Sequence, residues 1–319
     1  MEDKSKITWI EGLRFIAIMM VAIPHFIDMF CPQYFEWWDK YPLLLKGISG
    51  KNGVAMFLVI VGFFASKPTS KNLPTYIVQR YLQFTINIFI VLSVFCIVRF
   101  FTDYHHFFDH IVDAFKDAFF LRDNLCPTYW CMRSILVGSI ICYLLSNCCD
   151  IKSPIHKLLF TSAVCVILFL MKYVWVAICI LGCIYRQLSD NKFLPEKYKW
   201  LLNVICVFLI PILYRHDECN LTYFMQGISC CMTMFLIQQW KFLQLCLGNK
   251  VIAYLGSLSF PIFLSHTLVY QCVDYYWDST LSVGVLAMIS LVSLLVLTIQ
   301  YKLLIINNLS ALLRRVLIK

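Results

Sequence analysis

Charge is what this sequence has least of. Charged residues make up 14% of its 319 residues, against about 25% in an average soluble chain. Acids are the scarcer sign, with Asp+Glu 18 against Lys+Arg 27. A soluble fold of this length needs a polar surface that this composition cannot supply, so that class is excluded. Disorder is excluded as well, because it rests on low hydrophobicity and high charge. Gly 11 and Pro 10 leave no room for a collagenous or low-complexity chain. No internal repeat is visible, and no His–Cys spacing matches a zinc site. The histidines His105, His106 and His110 lack HExxH spacing, and the vicinal pairs Cys148-Cys149 and Cys230-Cys231 match no redox motif. No metal is expected.

What is present is apolar. Hydrophobic residues reach 61%, against roughly 45–50% in soluble domains. The fold class that follows is all-α, a polytopic integral membrane protein. Ten apolar stretches are long enough to cross, at 7–30, 50–66, 75–101, 127–147, 155–171, 173–189, 198–214, 221–240, 251–273 and 280–306. No polar linker separates them, so residues 1–319 are expected to form a single membrane-embedded domain. Between them, Phe107, Phe108, Ile111, Phe115 and Phe119 recur at helical spacing, which predicts an amphipathic segment at the interface. The first stretch holds Glu11 and Arg14 and lacks a small-residue cleavage site, so it is expected to be a span and not a cleavable signal.

The net charge of +9 would point to nucleic acid in a soluble chain; here it sets orientation. With both termini cytoplasmic, Lys67, Lys71, Arg186, Lys192, Lys241 and Lys250 fall on the inner side, while Asp103, Asp109, Asp113, Asp217 and Asp274 fall on the outer side. The sixteen cysteines sit mostly inside apolar runs, as Cys96, Cys142, Cys165 and Cys179 do, where a thiol behaves as a small hydrophobe.

Ionisable residues inside a span are costly and mark function. The first span carries Glu11, Arg14, His25 and Asp28. Arg14 and His25 are 11 residues apart, a rotation of about 20° on a helix, so they share one face roughly 16 Å apart along the axis. Such a stripe suits a cavity leading from the cytoplasm into the membrane. The plainer alternative has Arg14 reaching the headgroups and His25 hydrogen-bonding a neighbouring helix.

These runs resemble those of a known family. Glu11-Gly12-Leu13-Arg14-Phe15-Ile16-Ala17 followed by Pro24-His25-Phe26 is similar to the opening of acyltransferase family 3, whose first helix carries an Arg-x10-His signature. Gly53-Val54-Ala55-Met56-Phe57 through Gly62-Phe63-Phe64 resembles its second helix, and Tyr76-Ile77-Val78-Gln79-Arg80 its third. Trp130-Cys131-Met132-Arg133 resembles the start of its fourth, and Leu255-Gly256-Ser257-Leu258-Ser259-Phe260 through Leu264-Ser265-His266 a late segment. Departures occur: Ala55 and Val61 stand where many members have an acid and a serine, and the basic residue that usually follows Arg80 is missing. The fourth helix carries Arg133 and no carboxylate, so a mechanism with an acid beside its histidine must draw it from elsewhere, with Glu11 and Asp28 as candidates, or do without one.

The resemblance implies transfer of an acyl group, usually acetyl, from cytoplasmic acyl-CoA to a hydroxyl, often on a cell-surface polysaccharide. It implies a multi-pass protein of the bacterial cytoplasmic membrane, with the lipid bilayer and a carbohydrate or lipid-linked glycan as partners. Arg14 and Arg80 lie one to two turns into their helices, placed to bind CoA phosphates through planar guanidinium groups. His25 is the candidate general base, with Glu11 as its candidate acid; an acyl-histidine is the variant mechanism. His266, at a depth similar to His25, and Trp130 with Arg133, in the outer half, are candidates for touching the acceptor. A transporter or flippase of a lipid-linked glycan is the alternative, since a polar stripe across the membrane serves both.

Overall fold

The computed structural model describes residues 8–31, 50–67, 72–102, 111–113, 115–116, 119, 130–148, 151, 153–191, 196–213, 219–277, 282–306 and 308. Among these residues the structure is helical, with no strand. The helices are α1 (Thr8–Phe30), α2 (Gly50–Ala65), α3 (Leu73–Thr102), α4 (Trp130–Tyr143), α5 (Pro154–Leu170), α6 (Val174–Asp190), α7 (Glu196–Leu213), α8 (Asn220–Gln239), α9 (Lys241–Leu247), α10 (Lys250–Ser257), α11 (Ser259–Trp277) and α12 (Val283–Tyr301). Short π-helical turns follow α4 and α12.

Each predicted span coincides with helix, but length and apolarity qualify fewer of them to cross. Thr8–Phe30, Leu73–Val94, Asn220–Gln239 and Val283–Tyr301 qualify by themselves, and α10 with α11 adds a fifth as a broken pair. The predicted ninth span is therefore not one straight helix. Pro261 explains the break: it has no N–H for the Ser257 carbonyl, and its ring crowds that carbonyl. Hydrogen bonding resumes one residue later, from Ile262 N to Leu258 O at 2.9 Å. Most of the predicted amphipathic segment lies outside the described residues, Phe107 and Phe108 included; Ile111, Phe115 and Phe119 are exposed.

Backbone packing divides the chain into two compact units. The first comprises Met1–Pro24, Glu36–Lys71 and Ser134–Ser257. Its centre is the contact of α2 with α6, where the helices touch backbone to backbone. A Cβ on Gly62 would overlap the Cys179 carbonyl, and one on Gly182 would overlap the Val59 carbonyl. Small residues let apolar helices approach this closely, and dispersion then replaces the hydrophobic effect that lipid removes.

The ends of this bundle sort by side. Lys51 Nζ donates to Tyr223 Oη at 2.8 Å, and Trp175 stacks on Tyr223 at 5.0 Å, so the starts of α2, α6 and α8 gather. At the opposite ends, Lys67 and Arg186 converge on Asp190 at 2.7 and 3.0 Å, and Tyr185 donates to Gln238 at 2.6 Å. These three helices therefore run parallel.

The second unit comprises His25–Phe35, Asn72–Arg133 and Leu258–Lys319. Here α11 packs on α12 and α3. Phe84 meets Phe260 edge-on at 5.8 Å, and Tyr301 donates to the buried Asn87.

Candidate active site

In the first unit, Glu11 and Arg14 pair one turn apart on α1. Arg14 Nη1 donates to Glu11 Oε2 at 3.1 Å and lies 3.4 Å from Oε1. The support beneath them is rigid. A Cβ on Gly12 would meet the Leu247 carbonyl, and one on Gly256 the Glu11 carbonyl, so α1 lies directly against the backbone of α9 and α10. The carboxylate that the sequence offered to His25 is thus taken by Arg14. Glu11 belongs to this unit and His25, 14 residues on in sequence, to the other. Asp28, one turn beyond His25, is exposed.

The second unit holds His25 and His266, each within a helix. His25 lies immediately after Pro24, which has no N–H to give to the Met20 carbonyl, so α1 lacks a hydrogen bond at this point. The His25 ring centroid is 5.4 Å from that of His266, with the planes tilted by 38°. His266 is wholly buried. Its Nδ1 lies 3.1 Å from the Ile262 carbonyl oxygen and 2.9 Å from that of Phe263. A carbonyl only accepts, so Nδ1 carries the proton and Nε2 the lone pair. Among the described residues that Nε2 is buried without a hydrogen-bond partner, a situation that costs about 1–3 kcal/mol and so suits a donor there. Tyr270 and Phe263 each lie 5.9 Å from the His266 ring.

Arg80, also in the second unit, donates from Nε to Tyr76 Oη at 3.3 Å, and its guanidinium lies 5.4 Å from the Tyr76 ring centroid. It makes no ion pair among the described residues, so its charge is available to an anion. Arg133 is half-buried near the start of α4. The backbone of Trp130 opens that helix, but its side chain lies outside the described residues. A cavity of about 600 Å³ opens among α3, α11 and α12, lined by Val94, Pro261, Ser265, Val269, Leu297 and Tyr301. Its walls are almost wholly apolar, which suits a hydrocarbon chain and not a nucleotide.

Three participants escaped the sequence reading. The carbonyls of Ile262 and Phe263 set the His266 tautomer, and Tyr270 packs on its ring. The signal was present as the i, i+3 and i+4 spacing of Ile262, Phe263, His266 and Tyr270, which places all four on one face of a helix.

A family model of the acyltransferase domain matches residues 7–301, nearly the whole chain. The chain belongs to acyltransferase family 3. No curated protein and no solved structure matches it. Membership makes it an acyltransferase, and its long apolar helices make it a membrane protein. For a family 3 acyltransferase, the second unit offers, among the described residues, a cation without a carboxylate partner at Arg80 and an imidazole pair at His25 and His266. Among the described residues, no group of histidine, cysteine and carboxylate is placed to hold a metal ion.

Proposed function

We propose that this acyltransferase moves an acyl group, acetyl by family habit, from cytoplasmic acyl-CoA to a hydroxyl of a cell-surface glycan or its lipid-linked precursor. The observation that carries the reading is the half-buried His25 set against the wholly buried His266 within an acyltransferase domain. His25 takes the proton as the hydroxyl oxygen attacks the thioester carbonyl. The C–S bond breaks, and the proton passes to the departing thiolate, giving free CoA and the ester. An uncharged imidazole suits this task in a membrane, because it carries charge only during the transfer.

Arg80 supports the donor assignment, since a guanidinium without a carboxylate partner binds phosphate by charge-assisted hydrogen bonds. Arg14 is the second such candidate from the sequence, with Glu11 holding its guanidinium in place. The apolar cavity beside α11 supports a lipid-linked acceptor, whose chain would lie there while the glycan is modified. The protein would then sit in the cytoplasmic membrane with both termini inside. Purified protein given labelled acetyl-CoA and a lipid-linked glycan should release CoA and label the acceptor. Movement of the glycan without CoA release would instead make the chain a carrier. Cysteine accessibility at Cys126, expected outside, tests the orientation.

A further inference from the structure

The reading of His25 as base leaves a question of orientation. A neutral imidazole has one N–H and one lone pair, and the base must present the lone pair to the substrate. Histidine bases are commonly oriented by a carboxylate. Here Glu11 is held by Arg14, and Asp28, one turn from His25, bears on it through its charge but is itself exposed. His266 is the buried group against the His25 ring, at 5.4 Å between centroids. Its own tautomer is fixed, because Nδ1–H is held by the carbonyls of Ile262 and Phe263. Its Nε2 lone pair is buried and unmatched. The rings are close enough that a His25 nitrogen turned towards His266 would come within hydrogen-bonding range of that atom, about 2.7–3.2 Å.

We propose that His266 is the positioning residue for His25, its Nε2 accepting a hydrogen bond from one ring N–H of His25 so that the other nitrogen offers its lone pair to the acceptor hydroxyl. The proposal rests on His25 being the base. His266 gives up no proton and takes none. When His25 is transiently an imidazolium, the same hydrogen bond becomes charge-assisted and stronger. A carboxylate would do this at the cost of a permanent buried charge; the second imidazole avoids it.

Two substitutions separate positioning from mere support of the helix. The Asn side chain reaches only the Nδ1 position, so His266→Asn keeps the hydrogen bond to the backbone carbonyls and loses the Nε2 acceptor. His266→Gln places its Oε1 near the Nε2 position and restores an acceptor towards His25. The full chain in lipid nanodiscs is assayed for CoA release with acetyl-CoA, per folded molecule, beside His25→Gln and His266→Leu. We expect His266→Leu and His266→Asn to lower kcat at least tenfold with KM for acetyl-CoA unchanged, and His266→Gln to recover most of the loss. Recovery by Asn but not Gln would show a structural role and overturn the proposal, as would normal kcat in His266→Leu or a change confined to KM. If His266→Leu fails to fold, the Asn–Gln contrast decides alone. If His25→Gln keeps near-normal turnover, the base reading itself fails and takes this one with it. If His25→Gln is inactive while all three His266 variants are normal, only the positioning role falls.

Discussion

The two units of this acyltransferase are built on different contacts. In the first, glycine brings helix backbones together: Gly62 lies against Cys179, Gly182 against Val59, and Gly256 against Glu11. In the second, rings and polar side chains fill the space between helices: His25 on His266, Phe26 edge-on to Tyr270, Arg80 on Tyr76 and Tyr301 on Asn87. The second unit also encloses an apolar cavity of about 600 Å³, which close glycine packing would not leave open. Glycine packing makes a rigid support and offers no chemistry. Aromatic and polar packing leaves gaps and unmatched atoms, and the reactive groups lie among them. Stability is thus expected to depend most on the first unit and turnover on the second.

The sharpest break in that comparison is at His25. His25→Ala and His25→Gln should lower transfer by about 10²–10⁴-fold, the usual contribution of a general base. Donor binding and folded yield should change little, and both are measured on the same sample. Next comes the first unit. Gly62→Leu drives a side chain into the Cys179 carbonyl, which is backbone and cannot turn aside. Overpacking of this kind costs typically 1–3 kcal/mol, here at the upper end, so thermal melting of the detergent-solubilised protein should fall clearly while any folded fraction keeps its kcat. Equal loss of kcat in that fraction would erase the division of labour.

Arg80→Ala should follow, weakening use of acetyl-CoA by about tenfold to a hundredfold through loss of charge-assisted hydrogen bonds. Lysine should rescue it only partly, because it lacks the planar fork. Arg14→Ala should cost less than Arg80→Ala, since Glu11 already neutralises part of the Arg14 charge. A larger effect at Arg14 would reverse the ranking of the two arginines. The smallest effect should be Tyr301→Phe. It removes one hydrogen bond to Asn87 inside the second unit, worth about 0.5–1.5 kcal/mol, and should lower the melting temperature slightly without altering KM.

Much of this molecule was legible in its residues. The positions of the helices follow from apolar run length. The number of helices fit to cross by themselves was less legible. Run length in sequence does not register a break such as that at Leu258, where a proline three residues on removes one hydrogen bond. The choice of partner for Glu11 was ambiguous because both Arg14 and His25 were available on one helix. Helix geometry decides it, since an i,i+3 neighbour lies within reach and a residue four turns away does not.

By itself, then, the sequence determined that the chain is a helical membrane protein of acyltransferase family 3, because composition, run length and local motif are properties of contiguous residues. Only the tertiary structure decided that His266 faces His25 with its Nε2 unmatched, and that Gly62 and Gly182 set the approach of α2 to α6. Those contacts join residues more than a hundred positions apart. No periodicity in one helix encodes which face of a distant helix it will meet; that is settled by packing, when backbones close to van der Waals distance and the remaining polar atoms find partners or are left without them.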